Sequence, residues 1–254
     1  MQTATDRRFL SPAQRLIVAA DFKPDPATGR AGVKAKVLSL AESLKGTGVL
    51  IKVNSILRAS DYDLIDMIHA LGLGVFADLK LVDIKETLET DGELLREAKP
   101  ELLTAMCIAY DPALTALKNA VPETEVLGVT VLTGLTDENA KEMFSCDVRS
   151  AAIRFAKIAK RAGLGGIICS AKEAELLRGV VENNMTINTP AIRPTWSIVE
   201  NDDQNLKRVM TPGDAICAGA DRIVVGRPIV RAAIPYDAAK RTIDEIESAL
   251  EAWT

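Results

Sequence analysis

The chain has 254 residues, 48% hydrophobic and 26% charged, with a formal net charge of −4. That balance is ordinary for a globular protein and excludes a polyanion binder driven by bulk charge. No apolar run is long enough to span a bilayer, and the first ten residues, MQTATDRRFL, lack the apolar core of a signal peptide. The expectation is a cytoplasmic protein with neither nucleic acid nor membrane as partner.

Short β-branched runs recur along the chain. They are Leu16–Asp21, Val49–Val53, Gly74–Lys80, Leu102–Ile108, Val126–Leu132, Gly166–Ser170, Thr186–Ile192 and Arg222–Arg227. Each is nearly continuous in apolar residues rather than alternating, which predicts strands buried on both faces and hence parallel. Between them lie segments with apolar positions every three and four residues, which predicts helices over Val33–Leu44, Ser150–Ala162 and Ala238–Trp253. Eight strand–helix units at this length predict a (β/α)8 TIM barrel. An open doubly wound sheet would show a glycine fingerprint after an early strand, and none is present. No linker, repeat or low-complexity segment divides the chain, so residues 1–254 read as one domain. Lys23–Gly32 and Arg193–Arg208 read as long loops after the first and seventh strands, and long loops in compact domains are often functional.

The four cysteines, Cys107, Cys146, Cys169 and Cys217, form no CxxC pair. Reduced, buried thiols are expected, and no metal site. The single histidine, His69, lies at helical spacing from Ile65, so a structural or surface role is expected.

In such a barrel the strand C-termini face the active-site mouth. Those positions hold Asp21, Lys52, Asp78, Lys80, Thr133, Ser170, Arg193 and Arg227. Charges ending apolar strands are costly unless paired or functional. The densest cluster is ADLKLVDIKET, Ala77–Thr87. Asp78 and Lys80 are two apart, so on a strand they point to one side, and Asp83 follows in the loop. A lysine between carboxylates is favoured as a cation, which suits proton donation or carbanion stabilisation rather than Schiff-base chemistry. Gly226 and Arg227 end the eighth strand, where barrels often bind phosphate.

The stretch DLKLVDIKET resembles the DxKxxDI signature of the orotidine 5'-monophosphate decarboxylase family. The resemblance continues through Asp21 in AADF, Lys52 in IKVN, GVTVLTGL, TPAIRP, DDQNLKRVMTP and GADRIVVGRPI. It implies cofactor-free decarboxylation of orotidine 5'-monophosphate to UMP, the last step of de novo pyrimidine nucleotide synthesis. It implies a charge network of Lys52, Asp78, Lys80 and Asp83, with Lys80 the proton donor to C6 and Asp78 near the substrate carboxylate. Asp21, Lys52 and Thr87 would hold the ribose, with Ile84 also at the substrate and Thr133 near the pyrimidine. Gln204, Gly226 and Arg227 would grip the phosphate, with Arg193 contributing. The resemblance also implies a homodimer in which Asp83 and Thr87 reach the partner's site.

Related barrels acting on sugar phosphates share DxKxxD but typically carry an acidic residue where this chain has Lys52. Three departures from the family pattern stand out. Lys85 replaces a usual proline, Ala191 replaces the glycine of TPGIRP, and Trp196 sits in the loop after the seventh strand.

Overall fold

Each of the eight apolar runs forms a strand in the computed structural model, which describes residues 9–197 and 210–252. The strands are β1 (Leu16–Ala19), β2 (Leu50–Val53), β3 (Gly74–Leu81), β4 (Leu102–Met106), β5 (Glu125–Val129), β6 (Gly166–Ile168), β7 (Thr186–Thr189) and β8 (Arg222–Val225). They close in sequence order into a barrel, β8 pairing with β1, and every pairing is parallel. The (β/α)8 expectation holds.

The helices are α1 (Gly29–Ser43), α2 (Ser55–Ala59), α3 (Asp63–His69), α4 (Lys85–Leu95), α5 (Tyr110–Ala120) and α6 (Asp137–Phe144), then α7 (Val148–Arg161), α8 (Ala174–Val181), α9 (Pro212–Cys217), α10 (Arg227–Val230) and α11 (Pro235–Glu251). Helix α1 starts four residues before Val33, so the first long loop is shorter than its Pro, Asp and Gly content suggests. Most strands stop pairing two or three residues before their apolar runs end. Apolar residues such as Val131, Leu132 and Ile192 continue past the last ladder bond into the barrel mouth, so hydrophobicity alone overestimates strand length.

Alternate side chains divide the core in two. Ile17, Leu50, Phe76, Leu102, Leu127 and Val224 fill the barrel interior. Their neighbours Leu16, Ile51, Val75, Leu103 and Ile223 pack outward under the helices. Both faces of each strand are therefore buried, the cause of the continuous apolar runs. The barrel floor is polar. Arg222 donates to Glu125 at 2.9 Å, both side chains are under 10% exposed, and Thr186 donates to the same carboxylate at 2.5 Å. Asn188 accepts from Arg222 at 3.3 Å.

Cys107 and Cys169 are buried, and burial pushes the Cys107 thiol up to about 12, so both are inert. Cys146 is half-buried and Cys217 exposed, so the expectation of burial fails for those two. No described helix is long and apolar enough to cross a membrane.

His69 ends α3 and meets Glu101 at 3.2 Å, at the end of the barrel opposite the mouth. Its role is structural. The hydrogen bond to Glu101 raises its pKa above the ordinary 6.5, against a smaller opposing effect of burial. One imidazole signal should therefore titrate above 6.5 by NMR and move down in Glu101→Gln; an unmoved midpoint would show that Glu101 does not hold the ring.

Candidate active site

The inward positions at the C-terminal ends of β1, β2 and β3 carry a line of alternating charges. Lys52 donates to both oxygens of Asp21, at 2.8 and 3.0 Å. Its ammonium lies 3.3 Å from Oδ2 of Asp78. The other oxygen of Asp78 accepts from Lys80 at 2.6 Å and from the Thr104 hydroxyl at 3.0 Å. Asp78 is only 7% exposed. Burial pushes its carboxyl pKa up, but Lys52, Lys80 and Thr104 together hold it below the ordinary aspartate value. Asp78 is thus an anion clamped between two cations. The Lys80 side chain is 34% exposed, so its ammonium is presented to the cleft.

Asp78 and Lys80 do face one side, but not as a regular strand would arrange. Lys80 has φ +49, the left-handed region. The register between β3 and β4 jumps from Ala77 opposite Leu103 to Leu81 opposite Ala105. Three residues of β3 therefore bulge against one of β4, and bulges beside active sites commonly re-aim side chains.

These charges line a cleft of about 890 Å³ at the mouth. Thr133, Arg193, Gly226 and Arg227 line it too, from beyond β5, β7 and β8. Eight of the expected site residues are thereby brought together. Asp83, Ile84 and Thr87 are not among them. Asp83 and Ile84 are exposed, and the Asp83 carboxylate accepts from the Ile84 amide at 2.7 Å. No ion pair joins Asp83 to Lys80 among the described residues, so one chain gives Lys80 a single carboxylate partner. Gln204 lies outside the described residues. Ser170 is no cleft residue; its hydroxyl accepts from Lys172 N–H in a capping box before α8. Sequence reasoning passed over Asn54, Lys23 and Lys36, which also line the cleft. Asn54 had a signal, being two residues past Lys52; the other two did not.

Comparison with known proteins decides the family. Residues 14–242 match the profile of the "Orotidine 5'-phosphate decarboxylase / HUMPS family". The chain belongs to this family. An orotidine 5'-phosphate decarboxylase of Afipia carboxidovorans is 36% identical over 240 residues, covering 93% of this chain and 96% of that one. One from a Methylobacterium species is 36% identical over 247 residues, covering 94% and 98%. The crystal structure of orotidine 5'-phosphate decarboxylase from Lactobacillus acidophilus superposes with a TM-score of 0.75 at 25% identity, covering 92% of this chain and 99% of that one.

The departures from the family pattern have visible local consequences. Lys85 is the first residue of α4. Proline is favoured there because its missing N–H has no helical partner, so lysine loses no bond. Trp196 lies in a 3-10 turn, Thr195–Ser197, that is fastened to α11. The Arg241 guanidinium sits 4.8 Å from the indole centroid, and the Thr195 hydroxyl donates to Glu245 at 2.8 Å. Ala191 is the costly departure, with φ +63. A left-handed non-glycine residue costs about 1–2 kcal/mol. Ala191 is exposed, so its methyl group returns little through packing. Ala191→Gly should raise stability by up to about 1 kcal/mol after the larger unfolded-state entropy of glycine is subtracted. The urea midpoint measures this, and a lower midpoint would show that the strain is offset by contacts of the methyl group.

Proposed function

We propose that this chain decarboxylates orotidine 5'-monophosphate to UMP without a cofactor, with Lys80 as the proton donor. The observation that carries the reading is the buried Asp78 carboxylate clamped between Lys52 and Lys80 at the mouth. In the reaction the bond from C6 to the carboxylate breaks, carbon dioxide leaves, and the electron pair stays on C6. No neighbouring group can delocalise that pair, so the barrier must fall by electrostatic stabilisation. Enzymes supply roughly 8–23 kcal/mol in all, and this reaction asks for the upper part of that range. The Lys80 ammonium, held against the buried Asp78, opposes the developing charge. It then gives its proton to C6, its N–H bond breaking as the C–H bond forms. Asp78 keeps the ammonium in place and repels the substrate carboxylate, a ground-state effect that disappears as carbon dioxide leaves.

Asp21 and Lys52 offer an acceptor and a donor to ribose hydroxyls, and Thr133 offers a hydroxyl to the pyrimidine. Arg227, Arg193 and Gly226 form the phosphate end, with Gln204 from the loop between them. A Cβ at Gly226 would touch only Ala19 at 3.6 Å, an ordinary contact. The protein itself leaves room for a side chain there, so the glycine is better explained by a ligand approaching the backbone. Binding energy at the phosphate is spent on the chemistry at C6. Lys52 favours this reading over sugar-phosphate chemistry, because it puts a cation where a metal-binding barrel would need an acid.

The same reading makes the protein a homodimer with composite sites. Asp83 and Thr87 lie outside their own chain's cleft, Asp83 on the exposed β3–α4 connection and Thr87, half-buried, in the first turn of α4. Around them Val82, Ile84, Ile108 and Tyr110 are each more than half exposed. An apolar patch of this kind beside a mouth suits a two-fold interface. Asp83 from the partner would then supply Lys80 with its second carboxylate.

Purified protein should convert orotidine 5'-monophosphate to UMP, and Lys80→Ala should lower turnover at least roughly a hundredfold while leaving the fold intact. Retained turnover would remove the donor role. Sharing of the site is tested by mixing. Lys80→Ala and Asp83→Ala dimers should each be nearly inactive. Refolded together in equal amounts, they should recover roughly a quarter of wild-type activity, since half the dimers are mixed and each mixed dimer holds one intact site. No recovery despite verified subunit exchange would place Lys80 and Asp83 in the same chain's site.

A further inference from the structure

We infer that Thr104 is a positioning residue for the reaction, its buried hydroxyl locking the Lys80 backbone to the Asp78 carboxylate across the β3 bulge. The inference rests on the decarboxylase reading and adds a residue to it.

The β3–β4 register isolates this side chain. Asp78, Leu79 and Lys80 lie between the paired residues Ala77 and Leu81, whereas Thr104 alone lies between their partners Leu103 and Ala105. A bulge leaves backbone groups without ladder partners, and a buried unpaired N–H is costly. Here the Lys80 N–H donates to the Thr104 hydroxyl at 2.9 Å. That hydroxyl has one hydrogen to give, and it donates to Oδ1 of Asp78 at 3.0 Å. Oδ1 is also the oxygen that accepts from the Lys80 ammonium. One hydroxyl thus ties both ends of the Asp78–Lys80 pair, the backbone of one and the carboxylate of the other. Thr104 is wholly buried, so water cannot take its place. The other side of the bulge is held by Arg58, whose guanidinium donates to the Leu79 carbonyl at 2.6 Å.

This bond explains how a lysine persists at φ +49 at the tip of a strand. The left-handed turn is unfavourable for lysine on its own, and it relaxes unless its neighbours over-determine it. Relaxation would swing the ammonium away from the cleft without unfolding the barrel. Valine matches the shape of threonine but neither donates nor accepts. The groups that face Asp78 are Lys52 on β2, Lys80 on β3 and Thr104 on β4, so losing the hydroxyl removes one of three stabilisers of the anion.

The test compares Thr104→Val and Thr104→Ser with wild type in steady-state turnover of orotidine 5'-monophosphate. The valine variant should lose kcat by about ten- to a hundredfold, the range for a hydrogen bond to a charged group. KM should stay within about threefold, because the phosphate and ribose contacts are untouched, and the acid limb of kcat should move to higher pH. The serine variant, which keeps the hydroxyl, should recover most of kcat and the wild-type acid limb. A valine variant with wild-type kcat, a loss confined to KM, or a serine variant as damaged as valine would each overturn the inference. If the valine variant does not fold, Thr104→Cys, whose thiol is only a weak donor and acceptor, is judged by the same criteria. An inactive wild-type chain would remove the decarboxylase reading and this inference with it. An active wild type with an unimpaired valine variant removes this inference alone.

Discussion

The burial of one carboxylate governs the mouth of this barrel. An unpaired ionised group at the depth of Asp78 would cost several kcal/mol in lost hydration. Its two oxygens are therefore fully engaged, one facing Lys52 and the other taking Lys80 and Thr104. Lys52 in turn is balanced on its far side by Asp21. The series runs minus, plus, minus, plus, and its two end members, Asp21 and Lys80, each have a single partner within it. Both ends line the cleft, and the cationic one is Lys80. Under the proposed reading, this exposed cationic end is where charge that appears only during the reaction would be answered.

The two ends of the barrel show what separates a structural ion pair from a chemical one. At the floor, Glu125 and Arg222 are both deeply buried, and Thr186 and Asn188 occupy remaining hydrogen-bonding positions. That end has a cleft of its own, of about 820 Å³, but both members of its central ion pair are under 10% exposed. At the mouth the acid is equally buried, but one of its cations is a third exposed. Between the two polar layers lies the apolar plug of Ile17, Leu50, Phe76, Leu102 and Leu127. The plug fixes the spacing of the strands and hence the separation of Lys52 from Asp78. Charge placement at the mouth is inherited from close packing below it.

What the sequence made legible follows from which forces are local. Strand existence was readable because burial on both faces imposes continuous apolar runs. Strand ends were not, because apolar residues such as Val131, Leu132 and Ile192 continue past the last ladder bond and line the mouth. Asp21, Lys52, Asp78 and Arg227 stood out as charges ending such runs, a pattern with an energetic cost. Thr104 did not, since a lone hydroxyl within LLTAMCI looks like an ordinary strand residue until the register of β4 against β3 is known. The bulge is a pairing property, and no single strand carries its signature. Asp83 is the converse case. Its spacing suggests a second carboxylate beside Lys80, yet the chain turns after Leu81 and carries it outward. In the proposed dimer, the partner's cleft is where it would be used.

Backbone strain has the same geography as the charges. Of the non-glycine residues with positive φ among the described residues, Ser145 caps α6 in the left-handed conformation that commonly ends helices, Glu182 caps α8, and Lys99 lies between α4 and β4. Lys80, Tyr110 and Ala191 instead follow or end β3, β4 and β7, around the rim of the mouth. Tyr110 has φ +71 and ψ +169, a conformation natural only to glycine, and its ring meets the Arg161 guanidinium at 5.7 Å. Strained residues persist only where their surroundings over-determine them. Thr104 and Arg58 do this for Lys80, as Arg161 braces the ring of Tyr110. The mouth therefore holds its side chains by opposing contacts rather than by relaxed backbone. A lysine fixed in this way needs little reorganisation when charge develops in front of it, and low reorganisation is what gives a preorganised cation its advantage over water.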